Sequence, residues 1–400
     1  MRISVRLALL VAIGGLSIWP AMAADNARPV RIGFLTDMSG PSAIDDGPGS
    51  ITAARMAIAD FGGTVLGRPV ELLTGDHQNK PDIGLSIAKR WYTEDGVDAI
   101  MDVNNSAVAL AIQQLTRDQD RVFMITGASS SLLTGKACSP NGVQWLTDTY
   151  SLARAVALPT LEDGGKSWYF LTVDYAFGHA LEHDATGVIE ANGGKVLGAS
   201  KYPYGTTDYS AYLVQAQASG AQVLGFANSG QDMENAVKQA REFGLHLRLV
   251  PLLTLIMDVH SVGLEQMQGV RFADPFYWDT NDATRTWSKR FFAAEKHMPT
   301  ALQVDAYRAM WHYLEAIKAT ETTEGRAVVR QMEKAPIKDV LGNGGTIRED
   351  GRVIRDLHYV EVKSPAESKY PWDYYRVIRD IPAAQIYRPL SESECPLVKQ

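Results

Sequence analysis

Cysteine is almost absent: the 400 residues contain only Cys138 and Cys395. That excludes a small disulfide-packed scaffold, and two cysteines so far apart lack the spacing of a zinc site. Positive charge is in deficit, with 39 Lys and Arg against 46 Asp and Glu and a formal charge of −7. Without a basic run the chain lacks the phosphate contacts that nucleic-acid binding needs. It also contains no Gly-x-Gly-x-x-Gly, Walker loop, Gly-x-Ser-x-Gly or His-Glu-x-x-His. No cofactor is implied, and no nucleophile–base pair points to an enzyme. His77 stands alone. His179 and His183 share the i,i+4 spacing of one helix face but have no third ligand, so a solvated face is the simpler reading and no metal is expected.

Long apolar runs are also missing, except at the N-terminus. Met1–Ala23 places Arg2 and Arg6 before the apolar run Leu7–Trp19 and ends on Ala21-Met22-Ala23. This is the pattern of a cleaved export signal, and the run is too short to span a bilayer comfortably. Cleavage near Ala23 leaves 377 residues, enough for two domains, and removing Arg2 and Arg6 takes the charge to −9. There is no cysteine beside the cleavage site to carry a lipid. Export places the chain in an oxidising compartment, where Cys138 and Cys395 form a plausible disulfide between two loop-like contexts; free thiols are the alternative.

Apolar residues make up 46% of the chain, which supports sizeable cores. Strand patterns alternate with helical ones. Val30–Leu35, Pro69–Leu73, Val97–Val103 and Val122–Thr126 read as strands, with helices over Ser50–Phe61, Ile83–Glu94 and Ala107–Arg117. The alternation then starts again. Strands are expected at Ser167–Val173, Lys195–Tyr202, Gln222–Ala227, Arg248–Leu253 and Gly269–Phe276, and helices at Gly178–Ala191, Tyr209–Ala218 and Met233–Phe243. Long helical patterns follow at Ala283–Lys296, Val304–Thr320 and Gly325–Lys334, then a hairpin or loop over Gly342–Asp350 and late strands at Leu357–Lys363 and Tyr374–Ile378. Strands separated by helices of this length make βαβ units and parallel sheets, so the fold class is α/β in two similar halves.

Ligands of open parallel sheets sit beyond the carboxyl ends of the strands. The loops there are small and polar in the first half: Asn104-Asn105-Ser106 before a helix, and Gly127-Ala128-Ser129-Ser130-Ser131. Helix N–H groups and hydroxyls in such loops receive a carboxylate. In the second half the strand ends carry Asp174–Gly178, Asn228–Gln231 and Phe276–Asp279, and Tyr150 follows the first crossing between halves. Rings at these positions make walls for a flat ligand or ordinary core packing. The pairs Asp45-Asp46 and Glu162-Asp163 read as surface acids in turns.

The opening Arg31-Ile32-Gly33-Phe34-Leu35-Thr36-Asp37-Met38-Ser39-Gly40-Pro41 resembles the Leu/Ile/Val-binding protein family of type I periplasmic binding proteins. Gly75–Pro81 and Asp174–Gly178 resemble two further segments of that family, in the right order, and the resemblance runs from about residue 28 to about 365. It implies two Rossmann-like lobes with parallel sheets joined by a three-crossing hinge, closing on the ligand like a clamshell. The expected division is residues 24–147 with 278–350 as one lobe and 148–277 with 351–380 as the other. Residues 381–400 are expected as a tail returning to the first. It also implies a monomeric periplasmic receptor whose partners are the permease subunits of an ABC importer; a sensor docked on a signalling protein is an alternative.

By resemblance the ligand-binding residues are Ser106, Ala128, Ser129, Tyr150 and Phe177, and position at a strand end adds Asn228, Leu253 and Tyr277. Amino-acid-binding members place an acid after the strand equivalent to Arg248–Leu253, where it accepts the ligand's ammonium. Here Pro251–Ile256 contains none before Asp258. Burying an ammonium without such a partner costs several kcal/mol. The expectation is therefore a carboxylate lacking an amine, and the rings suggest an aromatic acid of the benzoate or cinnamate kind. The alternative in the same fold is a branched-chain amino acid or amide.

Overall fold

The computed structural model describes residues 28–399. Two parallel sheets dominate it. The first has the strand order Thr64–Val65, Arg68–Asp76, Val30–Thr36, Ala99–Asp102, Val122–Ile125, Gly142–Gln144, parallel except at the Thr64–Val65 edge. The second has the order Arg248–Pro251, Val223–Ala227, Ser167–Val173, Lys195–Tyr202, parallel throughout. The central strands, such as Val122–Ile125 and Val223–Ala227, are continuous apolar runs because they are buried on both faces. In the first sheet, successive residues feed different cores. Ile32, Phe34 and Met101 join the large core that includes the helix Ala301–Thr320, whereas Leu35, Ile100 and Phe123 pack with Trp91, Val108 and Ile112 on the other side. Gly33 is required where it stands, because a Cβ there would lie 2.4 Å from the Trp91 ring.

After Arg271–Asp274 the chain runs into the helices Asp282–Glu295 and Ala301–Thr320. The helix Ala301–Thr320 packs against Gly47–Phe61, the first helix of the chain. A small antiparallel sheet, Ile337–Asp339, Gly342–Ile347 and Val353–Ile354, follows. A second antiparallel sheet joins Arg271–Asp274 to Leu357–Val362 and Tyr375–Ile381. Buried ion pairs tie these connections together: Arg355 forks onto Asp305 at 2.6 Å and donates to the Trp145 carbonyl at 2.5 Å.

Several elements escape the sequence reading, three of them near the strand ends and helices of the first half. The helix Thr149–Glu162 is buried nearly all round through Leu152, Ala153, Ala155, Val156 and Leu161 and contains Pro159, so no amphipathic period marks it. The short strand Gly142–Gln144 is bounded by too little pattern to register. The helix Pro81–Arg90 runs on as a π-helical turn, Trp91–Asp95. The export signal expected at Met1–Ala23 lies outside the described residues. No helix among the described residues is long and apolar enough to cross a membrane.

The two cysteines are bonded, with sulfurs 2.02 Å apart, and pack with Leu390 and Val398. The link closes a loop with a sequence separation of 257 and so removes much of the freedom of the unfolded chain. Reduction, or Cys395→Ser, is expected to lower unfolding stability by about 2–5 kcal/mol. Chemical denaturation with and without reductant measures this, and an unchanged midpoint would show that the bond contributes nothing.

Candidate ligand-binding site

The strand Val30–Thr36 sits where the order of the first sheet reverses, between Arg68–Asp76 and Ala99–Asp102. Connections leave such a strand on opposite faces, and a crevice opens beyond its carboxyl end. The second sheet has the same arrangement around Ser167–Val173. Loops from both sheets line one cavity. From the first sheet come Ser42, Asp45, Asn104, Ser106, Gly127 and Ser129; from the second, Tyr175, Phe177, Ser229, Leu253 and Leu255; Leu146 and Leu302 complete the wall.

The polar wall is built by the strand ends. Asp102 and Val103 take φ of 81° and 63°, a left-handed turn that is costly for a β-branched residue and ends the strand abruptly. Asn105 then caps the helix Ser106–Asp118, its side chain accepting from Ala107 N at 3.0 Å and Val108 N at 3.2 Å. Ser106 Oγ accepts from Ser130 N at 3.3 Å, joining the two polar loops. The second loop is fixed from behind. Gln144 Nε2 donates to the carbonyls of Ala128 at 2.9 Å and Ser130 at 3.2 Å, and Thr149 N donates to the Ser129 carbonyl at 2.8 Å. Gly127 leaves room for this approach, since a Cβ there would meet Asp46 Oδ2 at 2.5 Å and Asn104 Cα at 2.6 Å. Ser129 Oγ is buried in the wall without a protein partner.

The apolar wall comes from the other sheet. Phe177 is buried and lies beside Tyr175, whose ring meets Tyr204 edge-on at a centroid distance of 5.3 Å. Leu253 and Leu255 follow the strand Arg248–Pro251, and Leu302 enters from the helix Ala301–Thr320. Contacts cross the cavity mouth. Ser42 Oγ and the Tyr204 hydroxyl are 3.1 Å apart, and Gln231 N donates to the Pro41 carbonyl at 3.2 Å.

Of the residues singled out in the sequence, Ser106, Ser129, Phe177 and Leu253 meet in this cavity. Ala128 packs in the core of the first sheet with its carbonyl held by Gln144, and Asn228 donates to the Tyr202 hydroxyl at 2.6 Å; both flank the cavity wall. Tyr150 does not face it. Its ring lies 4.1 Å from the Arg388 guanidinium, in a separate surface groove with His183 and Asp184. Tyr277 stacks on Tyr375 at 4.8 Å and borders a different cleft with Arg308 and Arg355. Both follow chain crossings, where the backbone turns away from the strand ends that line the cavity.

Asp45 and Asp46 are a correction. They are not surface acids: Asp45 is 3% exposed and Asp46 0%. Glu162 and Asp163 do lie at the surface. Burial turns the local Gly/Pro/Asp pattern into something else. Thr300 Oγ1 donates to the Asp45 carbonyl at 2.6 Å, fixing the loop, and Asp45 lines the cavity. Burial, with the charge of Glu234 second, pushes the Asp45 carboxyl up to about 8. Burial and then Asp102 hold Asp46 well above the carboxylate range, while burial raises Asp102 to about 6. Each of these two carboxyls acts on the other, so their titrations are linked. Burial raises Asp258 as well, helped by Asp45 and Glu234, and Asp274 to about 7.

These shifts carry a sign. A carboxyl raised in the folded state binds a proton that the unfolded chain, with a pKa near 3.9, releases. Its stabilisation is complete below the unfolded value and is lost as pH rises through the folded one. The depressed histidines His77 and His312 act mainly below about pH 7. Stability of the ligand-free protein is therefore expected to fall as pH rises from about 7 to about 8, the last part of a loss that begins near pH 4, and Asp45→Asn should remove part of that fall. Denaturant midpoints across this range test it; a flat profile sinks the assignment.

The comparisons with known proteins agree with this geometry. A family model described as "Periplasmic binding protein" matches residues 29–369. A periplasmic binding protein from Burkholderia mallei is 44% identical with a TM-score of 0.91, over 93% of this chain and 99% of that one. A branched chain amino acid ABC transporter periplasmic ligand-binding protein from Burkholderia xenovorans LB400 is 39% identical with a TM-score of 0.82, over 92% of this chain and 100% of that one. An R. palustris solute-binding protein in complex with benzoate has a TM-score of 0.80 over 90% of this chain and 99% of that one; at 17% identity the likeness is one of fold alone. Among curated relatives, Leu/Ile/Val-binding protein homolog 6 of Brucella abortus is 25% identical over 238 residues, and the match spans 59% of this chain and 60% of that relative. With the family match covering most of its length and two lobes meeting over one cavity, this chain belongs to the type I periplasmic binding proteins, in their Leu/Ile/Val-binding-protein-like form.

Proposed function

We propose that the protein is the exported solute receptor of an ABC importer and closes on a small organic carboxylate. The carboxylate is received by the hydroxyls of Ser106 and Ser129 and the N-terminus of the helix Ser106–Asp118. Phe177, Leu253, Leu255 and Leu302 enclose an apolar body of benzoate or cinnamate size. One observation carries this reading: Ser129 Oγ, a buried hydroxyl without a protein partner, stands in the wall of the inter-lobe cavity. The lobes are residues 24–147 with 278–350 and 148–277 with 351–380, with the tail from 381 returning to the first through the disulfide. The partners are permease subunits, and the receptor acts as a monomer.

Asp45 favours a second reading, a branched-chain amino acid. The sequence argument against an amine rests on the missing acid after Arg248–Pro251, and Asp45 brings a buried carboxyl to the cavity from the opposite lobe. The name of the B. xenovorans relative points the same way.

Thermal-shift screening of the mature protein with benzoate, cinnamate, leucine, isoleucine and valine tests both. A ligand at 100 times its dissociation constant adds about 2.7 kcal/mol of stability. Shifts by aromatic acids alone support the first reading, and shifts by aliphatic amino acids alone the second. Ser129→Ala is expected to weaken whichever ligand binds by about 1–3 kcal/mol; unchanged affinity in calorimetry would remove Ser129 from the site.

A further inference from the structure

The strand Arg248–Pro251 leads into Leu253 and Leu255 of the cavity wall, so its amino end, at Arg248, faces away from that cavity. A recess opens there with three arginines in its wall. Arg241 comes from the last turn of the helix Gly230–Glu242, Arg248 begins its strand, and Arg271 begins Arg271–Asp274. Leu247 and Val250 give the recess an apolar side, and no acidic residue lines it. In a chain of formal charge −7 with no basic run, only the fold gathers these guanidiniums.

The carboxylates that reach these arginines are shared. Arg248 and Arg271 approach one and the same oxygen, Asp163 Oδ2, at 3.3 and 2.9 Å. Glu361 lies 2.6 Å from Arg271 and pairs with Arg376 as well. Arg241 has no carboxylate. Its Nε donates to the Gln266 carbonyl at 3.1 Å, and it makes no ion pair among the described residues. Gathering like charges beside an apolar wall is unfavourable, and an anion placed among them offsets that cost. The guanidinium is weakly hydrated and presents a planar fork of donors, which suits it to oxyanions. Donors brought to one recess from three separate segments match a tetrahedral group, which offers an oxygen to each, better than a flat carboxylate.

We infer that this recess is a second binding site, at the opposite end of the second sheet from the cavity, and that it takes a phosphoryl group or a like tetrahedral oxyanion. Held by Arg241, Arg248 and Arg271, the anion ties the helix Gly230–Glu242 to the two strands beside it. A soluble phosphate and the headgroup of an anionic lipid present the same oxygens, so either is a source of the group.

Calorimetric titration of the full mature protein with inorganic phosphate, at constant ionic strength, tests this. One site of millimolar affinity or tighter is expected, with sulfate competing and acetate binding at least about fivefold more weakly. Arg241→Gln and Arg248→Gln should each weaken phosphate binding by about tenfold. Arg90→Gln removes the same charge from an exposed arginine of another helix and should leave binding unchanged. A cooperative melt of each variant shows that it folds. Absence of phosphate binding overturns the inference, and so does binding that neither recess variant weakens. An equal loss in Arg90→Gln also overturns it, because net charge alone would then attract the anion. Sedimentation with phosphatidylglycerol vesicles, against phosphatidylcholine, separates the sources. Co-sedimentation that Arg248→Gln abolishes assigns the group to a lipid headgroup; otherwise the phosphate that binds is a soluble one.

Discussion

The strand Val30–Thr36 has a neighbour on each side, and its sheet is connected in opposite directions from that point. The same holds for Ser167–Val173 in the second sheet. At both places the chain must leave the carboxyl end of a strand with backbone groups that no ladder satisfies. Two such ends face each other, and the site is made from what the chain does to satisfy them. Asn105 caps a helix, Gln144 holds two carbonyls of the 127–130 loop, and Thr149 holds a third. Left over are a hydroxyl on Ser129 and a carboxyl on Asp45, each buried and each lacking a protein partner on at least one oxygen.

Closure and chemistry are thus one arrangement. Contacts between Ser42 and Tyr204, and between Pro41 and Gln231, bring the loop that carries Asp45 against the second lobe. Burial there, with the charge of Glu234 second, raises the proton affinity of the Asp45 carboxyl. Burial holds the carboxyls of Asp45, Asp46 and Asp102 all above the ordinary carboxylate range.

Much of the architecture was legible because it depends on local pattern. Strands buried on both faces read as apolar runs, and helices between them show their spacing. The polar loops at 104–106 and 127–131 were legible too, and they are among the strand ends that line the cavity. The helix Thr149–Glu162 was hidden by uniform burial, which erases periodicity. Tyr150 and Tyr277 were legible as rings after crossings, but which way a crossing turns is not written locally. One ring faces Arg388 in an outer groove, and the other stacks on Tyr375.

The sequence by itself determined the α/β class, the alternation in two halves, the family resemblance and the hydroxyl-bearing loops, because each follows from residues close together along the chain. Tertiary structure decided the rest. It joined Cys138 to Cys395 across most of the chain, and it moved Tyr150 and Tyr277 out of the cavity. It also changed the meaning of Asp45 and Asp46. In sequence they are two acids in a turn, which are ordinarily solvated; folded, they are enclosed by the helix Ala301–Thr320 and the opposite lobe. Burial is a property of what packs against a residue, and for Asp45 those partners are some 190 to 260 positions away.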